Sequence, residues 1–199
     1  AELILMVSFA QDFKLLALSS GDMHSHFATT AWRGIFRIRA NEASKAFKYG
    51  VDYPEDKLAK LREEYKDYLT KSETFTVTKE FPKGYITNHK PITFGIIYGA
   101  YSKKISQILG ININEAKEVI RTVEQEIPDT IKMVKAQSNF AERYGYLIHN
   151  DRTNSRRWFP ALIKQLKGEY NKERNFMDIS EALSAARNSK IQGTQADFI

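Results

Sequence analysis

The chain has 199 residues, 42% of them hydrophobic and 12% aromatic, which is enough apolar side chain to bury a core in one domain or two small ones. Lys and Arg number 30 against 24 Asp and Glu, and the net charge of +6 weakly favours a polyanionic partner. The absence of cysteine excludes disulfides, zinc fingers and a thiol nucleophile. No apolar run approaches the roughly 20 residues that span a bilayer, so we expect an intracellular protein that does not enter a membrane.

The first 81 residues predict helices separated by a turn. Residues 2–9 are apolar and fit either the end of a strand or a helix, and the sequence SSGD at residues 19–22 predicts the turn that follows. A helix is expected to begin at His24 and to include Trp32. Residues 33–81 form the most charged stretch, where apolar side chains at three- and four-residue spacing predict an amphipathic helix.

Proline and glycine divide the middle of the chain into predicted helices. One helix is expected over residues 91–109, because Pro91 suits a first helical turn and Gly110 suits the end of a helix. The next begins near Asn112 or Asn114, and Glu115, three residues after Asn112, matches a capping box. This second helix is expected to end at the following proline.

The last third of the chain combines helices with two strands. A helix is predicted over residues 129–143, with Gly145 as its stop. Residues 146–149 and 156–159 predict a β-hairpin, and a final helix is expected over residues 178–190. Together these elements predict a mainly α fold with one short hairpin.

Residues 90–99 (KPITFGIIYG) are the most informative string. Because residues four apart share a helix face, Lys90, Phe94 and Tyr98 are predicted to form one stripe, with a cation at its N-terminal end and two rings behind it. Such a stripe suits a nucleotide, since a helix N-terminus attracts phosphate and aromatic rings pack against sugar and base. The spacing alone leaves another interpretation open, in which the two rings are core residues and Lys90 is a solvated charge.

The same string resembles the nucleotide-binding helix of family A (polymerase I-like) DNA polymerases, whose pattern is Arg-x-x-x-Lys-x-x-x-Phe/Tyr-Gly-x-x-Tyr-Gly. Three further family blocks occur here in the expected order. Residues 2–24 are similar to the block that follows the first metal-binding Asp, and residues 144–160 to the hairpin beyond the fingers. Residues 188–197 (NSKIQGTQAD) closely follow the pattern Asn-x-x-x-Gln-Gly-Thr-x-Ala-Asp. The resemblance implies the helical fingers domain of a right-hand polymerase with a palm edge, mainly α and α+β overall.

The resemblance also implies site residues. At the incoming dNTP it places Glu2, His24, Lys90, Phe94 and Tyr98, with Glu2 as the steric gate against a ribose 2′-hydroxyl. At the DNA it places Gly99, Arg156, Arg157, Asn188 and Gln192. Without the resemblance, Glu2, His24, Asn188 and Gln192 equally fit solvated surface positions, and the two arginines equally fit a cover over the hairpin.

The resemblance divides residues 1–199, a single polymerase fragment, into four parts. These are the end of the first palm block and the start of the fingers (1–32), a charged helical insertion (33–81), the fingers helices with the nucleotide-binding helix (82–143), and the hairpin and helix returning to the palm (144–199). Three positions depart from the family pattern: Ile86 replaces an Arg four residues before Lys90, Ser184 stands where many members have Arg, and Asn154 stands where Gly is common before the arginines. With the long insertion, these differences indicate a phage-like or otherwise divergent branch.

The implied activity is template-directed DNA synthesis, in which a primer 3′-hydroxyl attacks a dNTP with the help of Mg²⁺ in the complete enzyme. Both metal-binding Asp motifs are expected to lie outside the chain, so we assign it no metal ligand and expect it to be inactive in isolation. The implied partners are primer–template DNA, dNTP and the remainder of the polymerase, in cis or as a separate chain. The implied location is the cytoplasm of a bacterium or of a phage-infected host cell.

Other functions remain open on the sequence. The chain fits a non-catalytic DNA-binding module or one half of a split polymerase, depending on whether another chain supplies both carboxylates. A single-subunit RNA polymerase shares the Lys and Tyr-Gly of the helix, but Glu2 and Phe94-Gly95 argue against an enzyme that must accept the 2′-hydroxyl. A purely structural helical protein leaves the four ordered blocks unexplained.

Overall fold

A computed structural model describes residues 7, 10–19, 21–48, 53–78, 91–150 and 153–196. Over these ranges the chain is mainly helical and contains a two-stranded antiparallel sheet, which confirms the predicted fold class. None of the helices in these ranges is both long and apolar enough to cross a membrane.

The helices and strands of the described residues are given in chain order. The helices are α1 (Phe13–Ser19), α2 (Met23–Lys48), α3 (Glu55–Thr74), α4 (residues 91–97), α5 (Ser102–Leu109), α6 (Ile113–Glu126), α7 (Pro128–Tyr144), α8 (Pro160–Leu166) and α9 (Phe176–Ala196). The strands β1 (Tyr146–Asn150) and β2 (Ser155–Trp158) lie between α7 and α8.

The predicted elements needed three corrections. The single helix predicted over residues 91–109 is wrong, because the chain leaves the helical conformation at Gly99, whose φ is +96°, and starts a new helix at Ser102. The helix predicted to begin at His24 begins one residue earlier, at Met23, and its continuation to Lys48 was not predicted. The short helix α8 was not predicted, since seven residues carry too little periodicity to identify.

The chain folds as two compact units. The first, called the helical unit, comprises residues 22–93 and 101–125. The second, called the hairpin unit, comprises residues 1–21, 94–100 and 126–199. The boundaries predicted from the resemblance at residues 32, 81 and 143 stay predictions.

In the helical unit, α2 packs along α3 through aromatic side chains. The Phe36 ring stacks on Tyr68 at a centroid distance of 6.3 Å and meets Phe75 edge-on at 5.1 Å. The segment after α3 is also hydrogen-bonded to α2, because Arg33 Nε donates to the carbonyl of Phe75 over 2.7 Å. These contacts cover only part of the apolar face of the predicted amphipathic helix, because Tyr68 is half-buried and Leu69 is exposed.

The predicted capping box is present at the start of α6. The backbone N–H of Glu115 donates to Asn112 Oδ1 and that of Asn112 donates to Glu115 Oε2, both over 2.9 Å. The second carboxylate oxygen of Glu115 accepts a hydrogen bond from Arg39 Nε at 2.6 Å. Glu115 is buried, so the cap and the ion pair together satisfy a carboxylate that would otherwise be costly to desolvate.

The core of the hairpin unit is formed by α7, β1, α8 and α9. Its buried apolar side chains are Ala141, Leu147, Phe159, Leu162, Ile179 and Ala186. The hairpin is antiparallel, with Tyr146 opposite Trp158 and Leu147 opposite Arg157, so alternate side chains face opposite sides of the sheet. The predicted hairpin is therefore confirmed.

A buried carboxylate joins two helix N-termini in the same unit. Asp12 Oδ1 accepts the backbone N–H of Leu15 in α1 at 3.0 Å. Its other oxygen, Oδ2, accepts both the backbone N–H and the hydroxyl of Thr130 in α7, at 3.0 and 2.9 Å. One side chain thus caps two helices that are far apart in the sequence.

Candidate nucleotide and nucleic-acid interface

Helix α4 has an interior face and a face that carries two aromatic rings. Ile92, Ile96 and Ile97 are buried, whereas Phe94 and Tyr98 are only half-buried. The rings of Phe94 and Tyr98 stack with their planes 18° apart and their centroids 6.5 Å apart. The structure therefore brings these two predicted dNTP-binding residues together on one face of the helix.

The C-terminal end of α4 is closed by a Schellman motif around Gly99. The N–H of Ala100 donates to the carbonyl of Gly95 over 2.7 Å, and that of Gly99 donates to Ile96 over 2.9 Å. The motif requires a residue in the left-handed backbone conformation after the last turn, and Gly99 adopts it with a φ of +96°. Tyr98 is consequently the last side chain of the aromatic stripe before the chain turns away.

Two side chains of α9 contact this end of α4. The Ser184 hydroxyl donates to the backbone carbonyl of Tyr98 over 3.0 Å. The Arg187 guanidinium lies against Gly99 so closely that a Cβ added there would stand 1.5 Å from Nη1. Arg187 Nε also donates to Ser138 Oγ at 3.3 Å, so the end of α4 is connected to both α9 and α7.

Asn188 and Gln192, the predicted minor-groove residues, lie one turn apart on α9. Gln192 is exposed, whereas Asn188 is half-buried. Asn188 Oδ1 is enclosed and has no hydrogen-bond partner among the residues that the structure describes. An acceptor left unsatisfied in this way is costly unless a ligand or another segment supplies a donor.

The two predicted DNA-binding arginines lie on opposite faces of the hairpin. Arg156 and Arg157 are adjacent on β2 and both are exposed. The Arg156 guanidinium lies over the Tyr146 ring at 4.8 Å from its centroid, and that of Arg157 lies over Phe159 at 5.7 Å. The sheet therefore separates them instead of joining them in one site.

The other three predicted dNTP contacts are Glu2, His24 and Lys90. Glu2 and Lys90 lie outside the described residues. His24 is half-buried in the first turn of α2, within the helical unit, whereas Phe94 and Tyr98 belong to the hairpin unit. The participation of all three residues in one site stays a prediction.

The described part of the chain does not fit a Mg²⁺ site. No group of three or more His, Asp or Glu side chains in that part is arranged to hold a metal ion. Mg²⁺ prefers octahedral oxygen ligands and is usually held by one or two carboxylates together with substrate phosphates. The Mg²⁺ that the resemblance implies for the complete enzyme stays a prediction.

Sequence reasoning missed two features of the hairpin unit. Arg187 was overlooked because its partner Gly99 is 88 residues away, although its place one turn after Ser184 was a usable signal. The second feature is an exposed aromatic cluster in which α7 meets the hairpin. Its rings are those of Phe140, Tyr144, Tyr146 and Trp158.

The comparisons with known proteins agree with the resemblance. A relative, the DNA polymerase of Mycobacterium phage D29, is 26% identical over 140 residues. The matched region covers 70% of this chain and 18% of the phage protein, so the chain spans less than a fifth of that relative's length. The family described as DNA polymerase family A matches residues 54–199. Because this match extends over well more than half of the chain, the protein belongs to DNA polymerase family A.

Proposed function

We propose that this chain is the dNTP- and DNA-binding fingers portion of a template-directed DNA polymerase. The observation that carries the proposal is the stacked pair of Phe94 and Tyr98 on α4, half-buried and held at its end by α9. A base or sugar can pack on such rings without a change in the helix, because the Schellman motif and Ser184 already fix the last turn. Lys90, His24 and Glu2 complete the dNTP site in this proposal.

The DNA contacts come from α9 and the hairpin. Asn188 Oδ1 has no hydrogen-bond partner among the described residues, which is compatible with a role as an acceptor for a donor in the minor groove. Gln192 is exposed one turn further along, and Arg156 and Arg157 supply positive charge for phosphates. Gly99 contributes by letting the end of α4 approach its neighbours closely.

The isolated chain is proposed to bind without catalysing extension. Nucleotidyl transfer needs two carboxylate-held divalent ions, and the 199 residues contain no His-Asp-Glu sequence. The remaining parts of the polymerase, in cis or as a separate chain, supply these carboxylates. The phage relative supports the cytoplasm of an infected host cell as the place of action.

A nucleotide-binding measurement tests the proposal on the chain itself. The fluorescence of mant-dATP should report binding, and Phe94→Ala or Tyr98→Ala should weaken it about tenfold, because each variant removes one stacking ring. Tyr101→Ala serves as the control, since Tyr101 is an exposed tyrosine beyond the end of α4. Equal binding by all variants would remove the assignment of the dNTP site.

A primer-extension assay tests the second half of the proposal. The purified chain with primer–template DNA, dNTPs and Mg²⁺ should give no product, whereas the full polymerase polypeptide should extend the primer. Extension by the purified chain would contradict its proposed incompleteness. Absence of extension by the full polypeptide, with binding intact, would instead favour a non-catalytic DNA-binding module.

A further inference from the structure

The hairpin unit carries a second aromatic surface, separate from α4. Helix α7 and the hairpin bring four rings together, with centroid distances of 4.5 Å for Phe140–Tyr144, 5.7 Å for Phe140–Tyr146 and 5.0 Å for Tyr146–Trp158. We call this surface the aromatic–arginine face. It consists of Phe140, Arg143, Tyr144, Tyr146, Arg156 and Trp158.

The rings of this face are accessible. Trp158 is 54% exposed, Tyr144 is 46% exposed and Phe140 is 38% exposed. Large aromatic side chains clustered and exposed in this way usually mark an interaction surface, whereas isolated exposed ones carry no such meaning. The aromatic–arginine face therefore has the properties of an interaction surface.

Two arginines are part of the same face. The Arg156 guanidinium lies 4.8 Å from the Tyr146 ring centroid, and the Arg143 guanidinium lies 5.5 Å from that of Tyr144. These cation–π contacts hold positive charge beside the exposed rings. A ligand that combines flat rings with negative charge would match both properties.

The sequence segment that contains most of this face is also strongly basic. Residues 143–167 contain six Lys or Arg and one acidic residue, Asp151, so this short stretch carries five of the six net positive charges of the whole chain. The remaining residues are close to neutral. A polyanion is thus attracted to this segment more than to any comparable part of the sequence.

We propose that the aromatic–arginine face binds single-stranded DNA, with unpaired bases stacking on Trp158 and Tyr144 and phosphates lying near Arg143 and Arg156. Bases within a duplex are stacked on one another and cannot offer their faces, so the exposed rings favour a single strand. The inference rests on the proposed function only for the choice of DNA as the polymer. It adds a binding surface that is distinct from the dNTP site on α4.

Tryptophan fluorescence gives a direct test, because the chain has two tryptophans, Trp32 and Trp158. In a Trp32→Phe background, oligo(dT) should quench the fluorescence of Trp158 by stacking on it. A blunt duplex of the same length should leave that fluorescence largely unchanged. The intact 199-residue chain is used throughout.

Substitutions then separate stacking from charge. Trp158→Ala should weaken binding of fluorescein-labelled oligo(dT) about tenfold. Arg156→Ala should weaken it severalfold and reduce the slope of log affinity against log salt by about 0.7, as expected when one phosphate contact is lost. The matched controls are Phe176→Ala and Arg174→Ala. Phe176 is as exposed as Trp158 and Arg174 is an exposed arginine outside the face, so both should change affinity less than twofold.

Several outcomes would overturn the inference. Unchanged Trp158 fluorescence with oligo(dT), or an equal loss of duplex and single-strand binding in Trp158→Ala, would exclude base stacking. A shift in sedimentation on Trp158→Ala with unchanged oligo(dT) affinity would show that the face covers a second copy of the chain. Trp158→Phe should keep the hairpin folded by circular dichroism and retain part of the affinity, which separates stacking from unfolding.

The same variants keep this inference distinguishable from the proposed function. Trp158→Ala should bind mant-dATP normally, and Phe94→Ala should bind oligo(dT) normally. Loss of oligo(dT) quenching with intact mant-dATP binding would overturn the single-strand surface alone. The reverse pattern would overturn the dNTP site alone.

Discussion

The hydroxyl of Ser184 donates to the backbone carbonyl of Tyr98 over 3.0 Å, which connects α9 to the last turn of the aromatic helix. Carbonyls at the end of a helix have no partner within it, so this bond satisfies a group that would otherwise be unpaired. A short hydroxyl and the guanidinium of Arg187 thus hold the end of α4.

Removing the Ser184 hydroxyl should loosen this connection. Ser184→Ala is expected to lower the free energy of unfolding by about 1 kcal/mol, the usual net value of one hydrogen bond. Urea unfolding followed by circular dichroism measures the change. Ser184→Thr keeps the hydroxyl and should lower the free energy of unfolding by less. An equal loss in both variants would show that side-chain size matters more than the hydrogen bond.

A side chain at Gly99 should be poorly tolerated. Gly99→Ala forces an alanine into the left-handed backbone conformation and places its Cβ 1.5 Å from Arg187 Nη1. Gly168 also has a positive φ, +75°, but no atom lies within 4 Å of its Cβ position. Both alanines carry backbone strain, but only the first meets another group. Gly99→Ala should therefore lose about 1–3 kcal/mol more than Gly168→Ala in urea unfolding.

The double variant Gly99→Ala with Arg187→Ala tests whether the Arg187 guanidinium causes this loss of stability. If the guanidinium is the obstacle, its removal should bring the cost of the alanine at residue 99 close to that at residue 168. An undiminished cost in the Arg187→Ala background would assign the loss to backbone strain.

The carboxylate of Asp12 should contribute more than an ordinary helix cap. Asp12→Ala leaves three buried donors on Leu15 and Thr130 without their acceptor, and we expect a loss of about 3 kcal/mol. Asp22→Ala is the matched comparison, because Asp22 is a half-buried cap that accepts the backbone N–H and the hydroxyl of Ser25 at the start of α2. Thermal unfolding should therefore show a clearly larger shift for Asp12→Ala, and equal shifts would contradict the double-cap interpretation.

Acid should weaken the contact between α7 and the turn before α9. The hydrogen bond from Lys172 Nζ to Glu142 Oε1, 2.9 Å long, lowers the pKa of Glu142, and partial burial opposes this by raising it. Since the folded pKa lies below the unfolded value, the pair stabilises the fold at pH above the unfolded pKa. This stability is lost as the pH falls through the folded pKa.

Glu142→Gln should accordingly reduce stability at pH 6 and have little effect near pH 2. The pair is partly exposed, so the difference should stay below about 1 kcal/mol. Lys172→Met should give the same pH dependence of urea unfolding. A difference between wild type and Glu142→Gln that persists at pH 2 would assign the effect to packing.

Local chemistry explains which elements were predictable. The Asn112–Glu115 capping box involves residues three apart, so the sequence contains the complete interaction. The hairpin was predictable because alternation within it sets which side chains face the core. The stacking of Phe94 on Tyr98 follows from a spacing of four on one helix.

Long-range contacts explain what the sequence did not show. The break between α4 and α5 depends on Gly99, and the tightest restriction on that glycine comes from Arg187 on a distant helix. The aromatic–arginine face forms only when the hairpin folds against α7, so neither segment shows it alone. Such features arise from tertiary packing, which local patterns do not encode.

The double cap made by Asp12 also constrains the order in which the chain folds. Asp12 and Thr130 are 118 residues apart, and the hairpin unit is assembled from three segments that flank the helical unit in sequence. At translation rates of about 5–20 residues per second, Thr130 follows Asp12 out of the ribosome on the order of ten seconds later. Helix α1 therefore lacks its docking partner throughout synthesis of the helical unit, and the contact order of the hairpin unit makes its closure a late, non-local step.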